Sequence, residues 1–203
     1  MPDLALEREA TGVVAGIDEA GRGPWAGPVV AAAVILDVPA LGRELQRAIN
    51  DSKQLARRER ERLYAALWAV ALIGIGAASA REVDRANVLG ATFRAMTRAL
   101  GALGVTPDLA LVDGDRAPPL PCPVRAIVRG DARSLSIAAA SIIAKVTRDR
   151  IMAKLACRYP GFGWERNVGY GTAEHQAALG RLGPTPHHRL SFGPVGRVLL
   201  GSS

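Results

Sequence analysis

The chain has 203 residues, 49% of them hydrophobic, so it can bury the core of a full domain, and the 35 positions between its two cysteines exclude a Cys-x-x-Cys zinc site. Its net charge of +7 is uneven: residues 125–203 carry 12 lysines and arginines against 4 acids, whereas the rest carries 14 against 15. The basic C-terminal third favours a polyanionic partner.

The first part of the chain predicts three strands and one helix. The strands are rich in valine, isoleucine and alanine and are expected over residues 13–17, 29–36 and 72–78. Leu63, Leu67 and Val70 fall at helical spacing behind the charged run 57–62, which predicts a helix before the third strand.

The second part predicts a long helix over residues 82–103, because Leu89, Phe93, Met96 and Leu100 recur at helical spacing. Two further strands are expected over residues 109–112 and 124–128. Three further helices are expected over residues 134–156, 173–182 and 195–200. This order indicates an α/β sheet covered by helices, with the chain beyond residue 159 docked on it.

We expect the protein in the cytoplasm and not in a membrane. The start, Met-Pro-Asp-Leu-Ala-Leu-Glu-Arg-Glu, carries charges where a signal peptide needs an apolar stretch. Residues 64–80 are uncharged, but Gly74 and Gly76 divide them, which predicts a helix end followed by a strand.

Acidic residues occur at the ends of predicted strands or just before a helix. They are Asp18 and Glu19 after the first strand, Asp113 after the fourth, and Asp131 before the long helix. Carboxylates that share a site raise each other's pKa, whereas divalent cations hold them ionised. All-oxygen ligands suit Mg²⁺ or Mn²⁺, and two ions about 4 Å apart would support in-line hydrolysis of a phosphodiester.

The segment that follows the first acid pair, Ala20-Gly-Arg-Gly-Pro24, keeps side chains small around one arginine. Backbone amides can therefore approach a ligand closely while a fixed positive charge meets phosphate. An acid pair or a glycine-rich loop alone is more typical of a solvated turn. Their contiguity over residues 16–27 favours a site for nucleic-acid chemistry.

Several motifs, in this order, resemble bacterial ribonuclease HII. They are Gly16-Ile-Asp-Glu-Ala-Gly-Arg-Gly-Pro24, Asp51-Ser-Lys-Gln-Leu55, Ala86-Asn-Val-Leu-Gly-Ala-Thr92, Val112-Asp-Gly114, Gly130-Asp131, Ser141-Ile-Ile-Ala-Lys-Val-Thr-Arg-Asp149 and Gly169-Tyr-Gly-Thr172. The resemblance implies a ribonuclease H-like fold, a five-stranded mixed sheet flanked by helices with a C-terminal helical extension. It implies one domain over residues 1–203, with a catalytic core at about 12–158 and an extension at about 159–203 that completes the substrate site.

The resemblance also implies roles for individual residues. Asp18, Glu19, Asp113 and Asp131 would hold two ions, Mg²⁺ or Mn²⁺, with Asp18 bridging both.

Substrate contacts are implied in the same way. Gly21-Arg22-Gly23 would contact the ribose 2′-hydroxyl, Tyr170 would stack on the following deoxyribose, and Lys53 and Lys145 would lie near the phosphate backbone.

The implied activity is that of an endoribonuclease. It would cut the RNA strand of RNA/DNA hybrids and nick duplex DNA 5′ of an embedded ribonucleotide by a two-metal-ion mechanism, leaving 3′-hydroxyl and 5′-phosphate ends. A monomer is expected, with nucleic acid as partner and no protein partner evident; the ending 199–203 shows no clamp-binding peptide.

Two departures from the family pattern concern contacts rather than chemistry. Val168 stands where a lysine is frequent, so one backbone contact is missing or supplied by Arg166. Ala56 stands where serine or threonine commonly caps the next helix.

Some alternatives stay open from the residues alone. His175, His187 and His188 contact phosphate or close the tail, and the structural role is favoured. Phosphotransferases of the sugar-kinase and actin type share a glycine-flanked aspartate on a first strand, but they need a second domain. A binding module without catalysis fits the basic tail, but it has no need for four acids.

Overall fold

Five strands form one mixed sheet in the computed structural model, which describes the backbone of residues 1–200 and the side chains of residues 1–198. The strands are β1 (Val14–Ala20), β2 (Val29–Leu36), β3 (Ala71–Ala78), β4 (Leu109–Asp113) and β5 (Val124–Ile127). They lie in the order β3-β2-β1-β4-β5. β2 runs antiparallel to β1 and β3, whereas β4 runs parallel to β1 and β5. The carboxyl ends of β1 and β4 therefore lie side by side.

Helices cover both faces of this sheet. Within the described residues they are α1 (Ala5–Glu9), α2 (Arg43–Ala48), α3 (Arg57–Leu67), α4 (Ala80–Gly101), α5 (Leu135–Arg158), α6 (Trp164–Asn167), α7 (Ala173–Leu182) and α8 (Gly193–Leu200). A short 3-10 helix, Gly130–Ala132, precedes α5. The expectation of no clamp-binding peptide in the ending falls on residues 199–203, which lie outside the described side chains.

The two faces of the sheet bury alternate residues of β2. Ala32 and Val34 belong to the core formed with α3 and α5, whereas Ala31 and Ala33 belong to the core formed with α4. Successive side chains of a strand point to opposite faces. A continuous apolar run is therefore what a strand covered on both sides requires.

Two glycines let the long helices lie close to the sheet. A Cβ at Gly16 would lie 2.2 Å from the carbonyl carbon of Ser136 in α5, and a Cβ at Gly76 would lie 2.1 Å from the carbonyl oxygen of Ala95 in α4. The first contact matters for the site. It holds the start of α5, which follows Asp131, against β1, which carries Asp18.

The predicted strands and long helices are confirmed, and β2 and α7 have the predicted bounds. The first strand differs, since β1 continues to Ala20, so Asp18 and Glu19 lie inside it rather than after it. The helices α1, α2 and α6 were not predicted because each is too short to show periodicity. Ala56 is the N-cap of α3 and makes no side-chain capping hydrogen bond.

The helix α4 is interrupted at Asn87, which has φ 57° and ψ 173°. The Asn87 carboxamide oxygen accepts hydrogen bonds from the backbone N–H groups of Leu89 at 2.9 Å and Gly90 at 3.1 Å. Asn87 therefore caps the second half of the helix. The apolar periodicity showed the helix but not this break.

The uncharged stretch over residues 64–80 is divided as predicted, with α3 ending at Leu67 and β3 beginning at Ala71. Across the part of the chain that the structure describes, every helix is too short or too polar to cross a membrane.

Candidate active site

Three carboxylates meet at the carboxyl ends of β1 and β4. Asp18, Asp113 and Asp131 each offer an oxygen, and these oxygens lie within 4.8 Å of one another. The parallel pairing of Ile17 with Val112 sets Asp18 beside Asp113. The Gly130 N–H donates to the Asp113 carboxylate at 2.7 Å, which ties the 3-10 helix carrying Asp131 to the end of β4. We call these three residues the acidic cluster.

The acidic cluster is electrostatically strained. Burial, and then the charges of Glu19 and Asp113, raise the pKa of Asp18 well above its usual value. Burial and Asp113 also raise the pKa of Asp131. A set of buried and half-buried carboxylate oxygens that repel each other fits a hard divalent cation such as Mg²⁺ or Mn²⁺, which would neutralise and coordinate them together.

Lys53 is the nearest cation to the acidic cluster among the described ion pairs, with its Nζ 3.6 Å from Asp131 Oδ2. Partial burial lowers its pKa, but the nearby carboxylates, those of Asp18 and Asp131 foremost, together outweigh burial and the net pKa is raised. The Lys53 side chain is 78% exposed, so it also faces the solvent.

Glu19 lies beside the acidic cluster but outside it. Its carboxylate accepts a hydrogen bond from the Arg22 guanidinium at 3.2 Å. Burial raises the pKa of Glu19, and Arg22 opposes that shift. The structure thus brings together three of the four predicted acids and pairs the fourth with the arginine of the glycine-rich loop.

A cleft of about 330 Å³ opens over these residues. All the predicted site residues except Asp131 line this cleft: Asp18, Glu19, Gly21, Arg22, Gly23, Lys53, Asp113, Lys145 and Tyr170. Ala20, Ser52 and Arg148 complete the lining. Lys145 donates to Asp149 Oδ1 at 2.8 Å, one turn along α5. Tyr170 is 48% exposed and lies over Gly23, since a Cβ at Gly23 would be 3.6 Å from the tyrosine ring.

Arg148 of α5 contacts the glycine-rich loop, residues 21–28 between β1 and β2. Its buried guanidinium donates to the backbone carbonyls of Pro28 at 3.0 Å, Val168 at 3.0 Å and Ala26 at 3.1 Å. Gly21 has φ +95°, and a Cβ there would lie 1.9 Å from Arg148 Nε. Only glycine therefore suits this position.

Arg189 supports the same loop from the C-terminal tail and is fully buried. Its guanidinium donates to the carbonyls of Gly21 at 2.5 Å, Arg22 at 2.7 Å and Gly27 at 2.9 Å. Burial lowers the pKa of Arg189 to about 10, so it stays charged at neutral pH. Neither Arg148 nor Arg189 was predicted as a site residue. The available signals were their place in the basic C-terminal third and, for Arg148, its place in a family motif.

Further bonds join the tail to this loop. The N–H groups of Trp25 and Ala26 donate to the Gly169 carbonyl at 2.8 and 3.3 Å, and Arg189 N–H donates to the Trp25 carbonyl at 2.8 Å. Backbone hydrogen bonds therefore join the loop before Tyr170 to the glycine-rich loop.

Arg166, the cation nearest to Val168 in sequence, pairs with two acids in this structure. These are Glu165, at 2.5 Å, and Glu174. Val168 itself has φ 45°, in the left-handed region. His175 and His188 are buried behind Tyr170, outside the cleft lining.

This fold and site define an α/β protein whose parallel strands present carboxylates for divalent cations beside a glycine-rich cleft. The sequence model for ribonuclease HII matches residues 15–195. The chain therefore belongs to the ribonuclease HII family, and it is a ribonuclease H endonuclease with the ribonuclease H-like fold. Metal dependence is typical of this family.

Relatives and solved structures agree with this membership. Ribonuclease HII of Paramagnetospirillum magneticum is 62% identical over 200 residues, covering 98% of this chain and 100% of the relative. Ribonuclease HII of Rhodospirillum rubrum is 60% identical over 205 residues, covering 100% and 94%. The crystal structure of ribonuclease H2 from Pyrococcus horikoshii superposes with a TM-score of 0.75 at 29% identity, covering 92% of this chain and 96% of that one.

Proposed function

We propose that the protein nicks duplex DNA on the 5′ side of an embedded ribonucleotide, as well as cutting the RNA strand of RNA/DNA hybrids, and leaves 3′-hydroxyl and 5′-phosphate ends. The observation that carries this proposal is the convergence of Asp18, Asp113 and Asp131 within 4.8 Å. The acidic cluster lies at the cleft that also holds the glycine-rich loop and Tyr170.

In this proposal Asp18, Glu19, Asp113 and Asp131 would hold two divalent cations, Mg²⁺ or Mn²⁺. Two such metal ions would activate water and neutralise charge, as in-line hydrolysis requires. The protein contributes the buried position of these carboxylates and the rigid strand ends that hold them. Arg22 is free to turn from Glu19 toward phosphate, since its side chain is 51% exposed.

Recognition of the ribonucleotide is assigned to the other side of the cleft. Gly21 and Gly23 have no side chains of their own on either side of Arg22, so a 2′-hydroxyl can approach the backbone there. Tyr170 presents a half-exposed ring for the next deoxyribose. Lys53 and Lys145 offer compact charges to the flanking phosphates.

We propose one domain over residues 1–203 for this work. Its catalytic core spans about residues 12–158, and the segment at about 159–203 completes the substrate site through the bonds of Gly169 and Arg189 to the glycine-rich loop. Because one chain provides every residue of the proposed site, a monomer is sufficient. We propose the cytoplasm as its location, since RNA/DNA hybrids and duplex DNA would be its substrates there.

The direct test uses a DNA duplex with a single ribonucleotide and an otherwise identical all-DNA duplex. With Mg²⁺ or Mn²⁺ we expect one nick, 5′ of the ribonucleotide, with end-group analysis giving a 3′-hydroxyl and a 5′-phosphate. Chelation of the metal should abolish the nick. Cleavage of the all-DNA duplex, or cleavage that survives chelation, would contradict the proposal.

Replacing Tyr170 by alanine is expected to reduce kcat/KM on the single-ribonucleotide duplex by roughly tenfold, at the lower end of the about 1–3 kcal/mol that a base stacked on an aromatic ring contributes. A long RNA/DNA hybrid offers many equivalent sites and should lose less. Tyr170→Phe keeps the ring and serves as the matched control. Equal losses on both substrates would remove the proposed role of Tyr170 at the junction.

A further inference from the structure

A chain of hydrogen bonds runs through the buried tail to the backbone of Tyr170. Thr185 N–H donates to His188 Nδ1 at 2.9 Å. His188 Nε2 contacts His175 Nε2 at 3.0 Å. His175 Nδ1 contacts the Tyr170 carbonyl oxygen at 2.9 Å.

The direction of this chain follows from groups that have only one role. A backbone N–H only donates, so His188 Nδ1 is an acceptor and the proton of the neutral ring sits on Nε2. The Trp164 indole N–H also donates to His175 Nε2, at 3.2 Å. His175 Nε2 is therefore an acceptor, its proton sits on Nδ1, and it donates to the Tyr170 carbonyl.

The surroundings keep this network neutral and dry. Trp164, His175 and His188 are each no more than 1% exposed, and the ring of Phe162 lies 5.0 Å from His188 and 5.2 Å from Trp164 between centroids. Burial lowers the pKa of both histidines, that of His188 to about 4. In such an environment an unpaired polar atom is costly, so the network has one favourable arrangement.

The hydrogen-bond series ends at Tyr170, next to the cleft. The Trp25 ring packs against Gly171, where a Cβ would lie 2.1 Å from it, and its centroid is 5.6 Å from that of His175. The Tyr170 backbone is thus held by His175 on one side and next to Trp25 on the other. Its side chain points out over Gly23.

We infer that His175 and His188 are positioning residues for Tyr170. They hold its backbone so that its ring lies where it reads the RNA-to-DNA junction. The inference rests on the proposed function for the role of Tyr170, but the hydrogen-bond chain stands independently of it. Both histidines are buried and neither lines the cleft. Their effect is confined to where Tyr170 lies.

Two variants of His175 separate positioning from packing. The amide nitrogen of His175→Asn falls near the Nδ1 position and can still donate to the Tyr170 carbonyl, whereas that of His175→Gln falls near Nε2 and cannot. Both variants lose the ring, so a purely structural role predicts similar losses for the two. Thermal unfolding of each variant measures this shared loss.

Steady-state kinetics on the single-ribonucleotide duplex and on a long hybrid give the decisive readout. We expect His175→Gln to raise KM on the single-ribonucleotide duplex by up to about tenfold, no more than the loss expected for Tyr170→Ala, because it acts only through that ring. Its kcat on the long hybrid should change far less, and Tyr170→Ala should show the same split. His175→Asn should recover most of the loss. Equal KM values for the Asn and Gln variants would overturn the inference.

A measurement on the unaltered protein covers the case in which the variants do not fold. Imidazole ¹⁵N NMR should show His175 protonated on Nδ1 and His188 on Nε2 at neutral pH. The opposite tautomer at His175 would overturn the inference. If the unaltered protein ignores embedded ribonucleotides while the NMR result holds, the proposed function fails and the hydrogen-bond chain remains.

Discussion

Replacing Asp18 by asparagine is expected to lower turnover by roughly a thousandfold, equivalent to about 4 kcal/mol of transition-state free energy. Asp18 is 4% exposed and is a member of the acidic cluster, so no neighbouring solvent group can take its place. Asparagine keeps the hydrogen bond that Asp18 Oδ1 accepts from the Glu19 N–H at 2.7 Å, and it removes only the charge.

The same substitution should not weaken nucleic-acid binding or lower thermal stability, although it lowers turnover. Binding of the nucleic acid without metal should stay equal or become tighter, because a negative charge beside the phosphates is lost. The metal-free protein should unfold at a higher temperature, since Asp18 no longer repels Asp113 and Asp131. Added Mg²⁺ should then stabilise the variant less than the unaltered protein.

These outcomes are measured by single-turnover cleavage, by fluorescence anisotropy with chelator and by thermal unfolding with and without Mg²⁺. Asp115→Asn is the matched control, because it removes the same charge from an exposed residue two positions after Asp113. Comparable turnover in the Asp18 and Asp115 variants would refute the assignment of the acidic cluster as the metal site.

Replacing Arg189 by methionine is expected to lower the free energy of unfolding by roughly 3 kcal/mol, because buried carbonyls lose charge-assisted donors. The guanidinium supplies hydrogen bonds to Gly21, Arg22 and Gly27 and packs over the Phe192 ring at 5.2 Å. At this chain length such a loss lowers the unfolding midpoint by about 10 °C. Activity at temperatures where the variant stays folded should also fall, since the glycine-rich loop is no longer held.

The measurement is thermal and urea unfolding together with cleavage at a permissive temperature. Arg189→Lys keeps the charge but not the planar fork, so it should fall between the methionine variant and the unaltered protein. Arg181→Met removes an exposed arginine from α7 and is the neutral control. A stability loss no larger in Arg189→Met than in Arg181→Met would show that the buried guanidinium does not organise the loop.

Local patterns were sufficient for most secondary structure. The apolar runs of β2 and β4 and the helical spacing in α4 act over a few residues, which is the range that periodicity reports. The acids also stood out, because carboxylates next to buried strands are unusual. Their convergence, however, depends on the parallel pairing of β1 with β4 and on the Gly130–Asp113 hydrogen bond.

Features that act across long sequence separations were missed. Arg189 donates hydrogen bonds to carbonyls more than 160 positions away. The series of hydrogen bonds from Thr185 to Tyr170 takes its direction from the Trp164 indole N–H. The pairing of Glu19 with Arg22 and the break at Asn87 are short-range, but side-chain choices between competing partners decide them.

The sequence by itself determined which residue types were available for metal and phosphate chemistry and which segments form strands and long helices, since both follow from local composition and spacing. Only the tertiary structure decided which acids share a cluster, which arginines hold the glycine-rich loop and how the tail orients Tyr170. Those contacts exist only after the sheet has paired and the tail has docked, because burial then forces each polar group to find a particular partner.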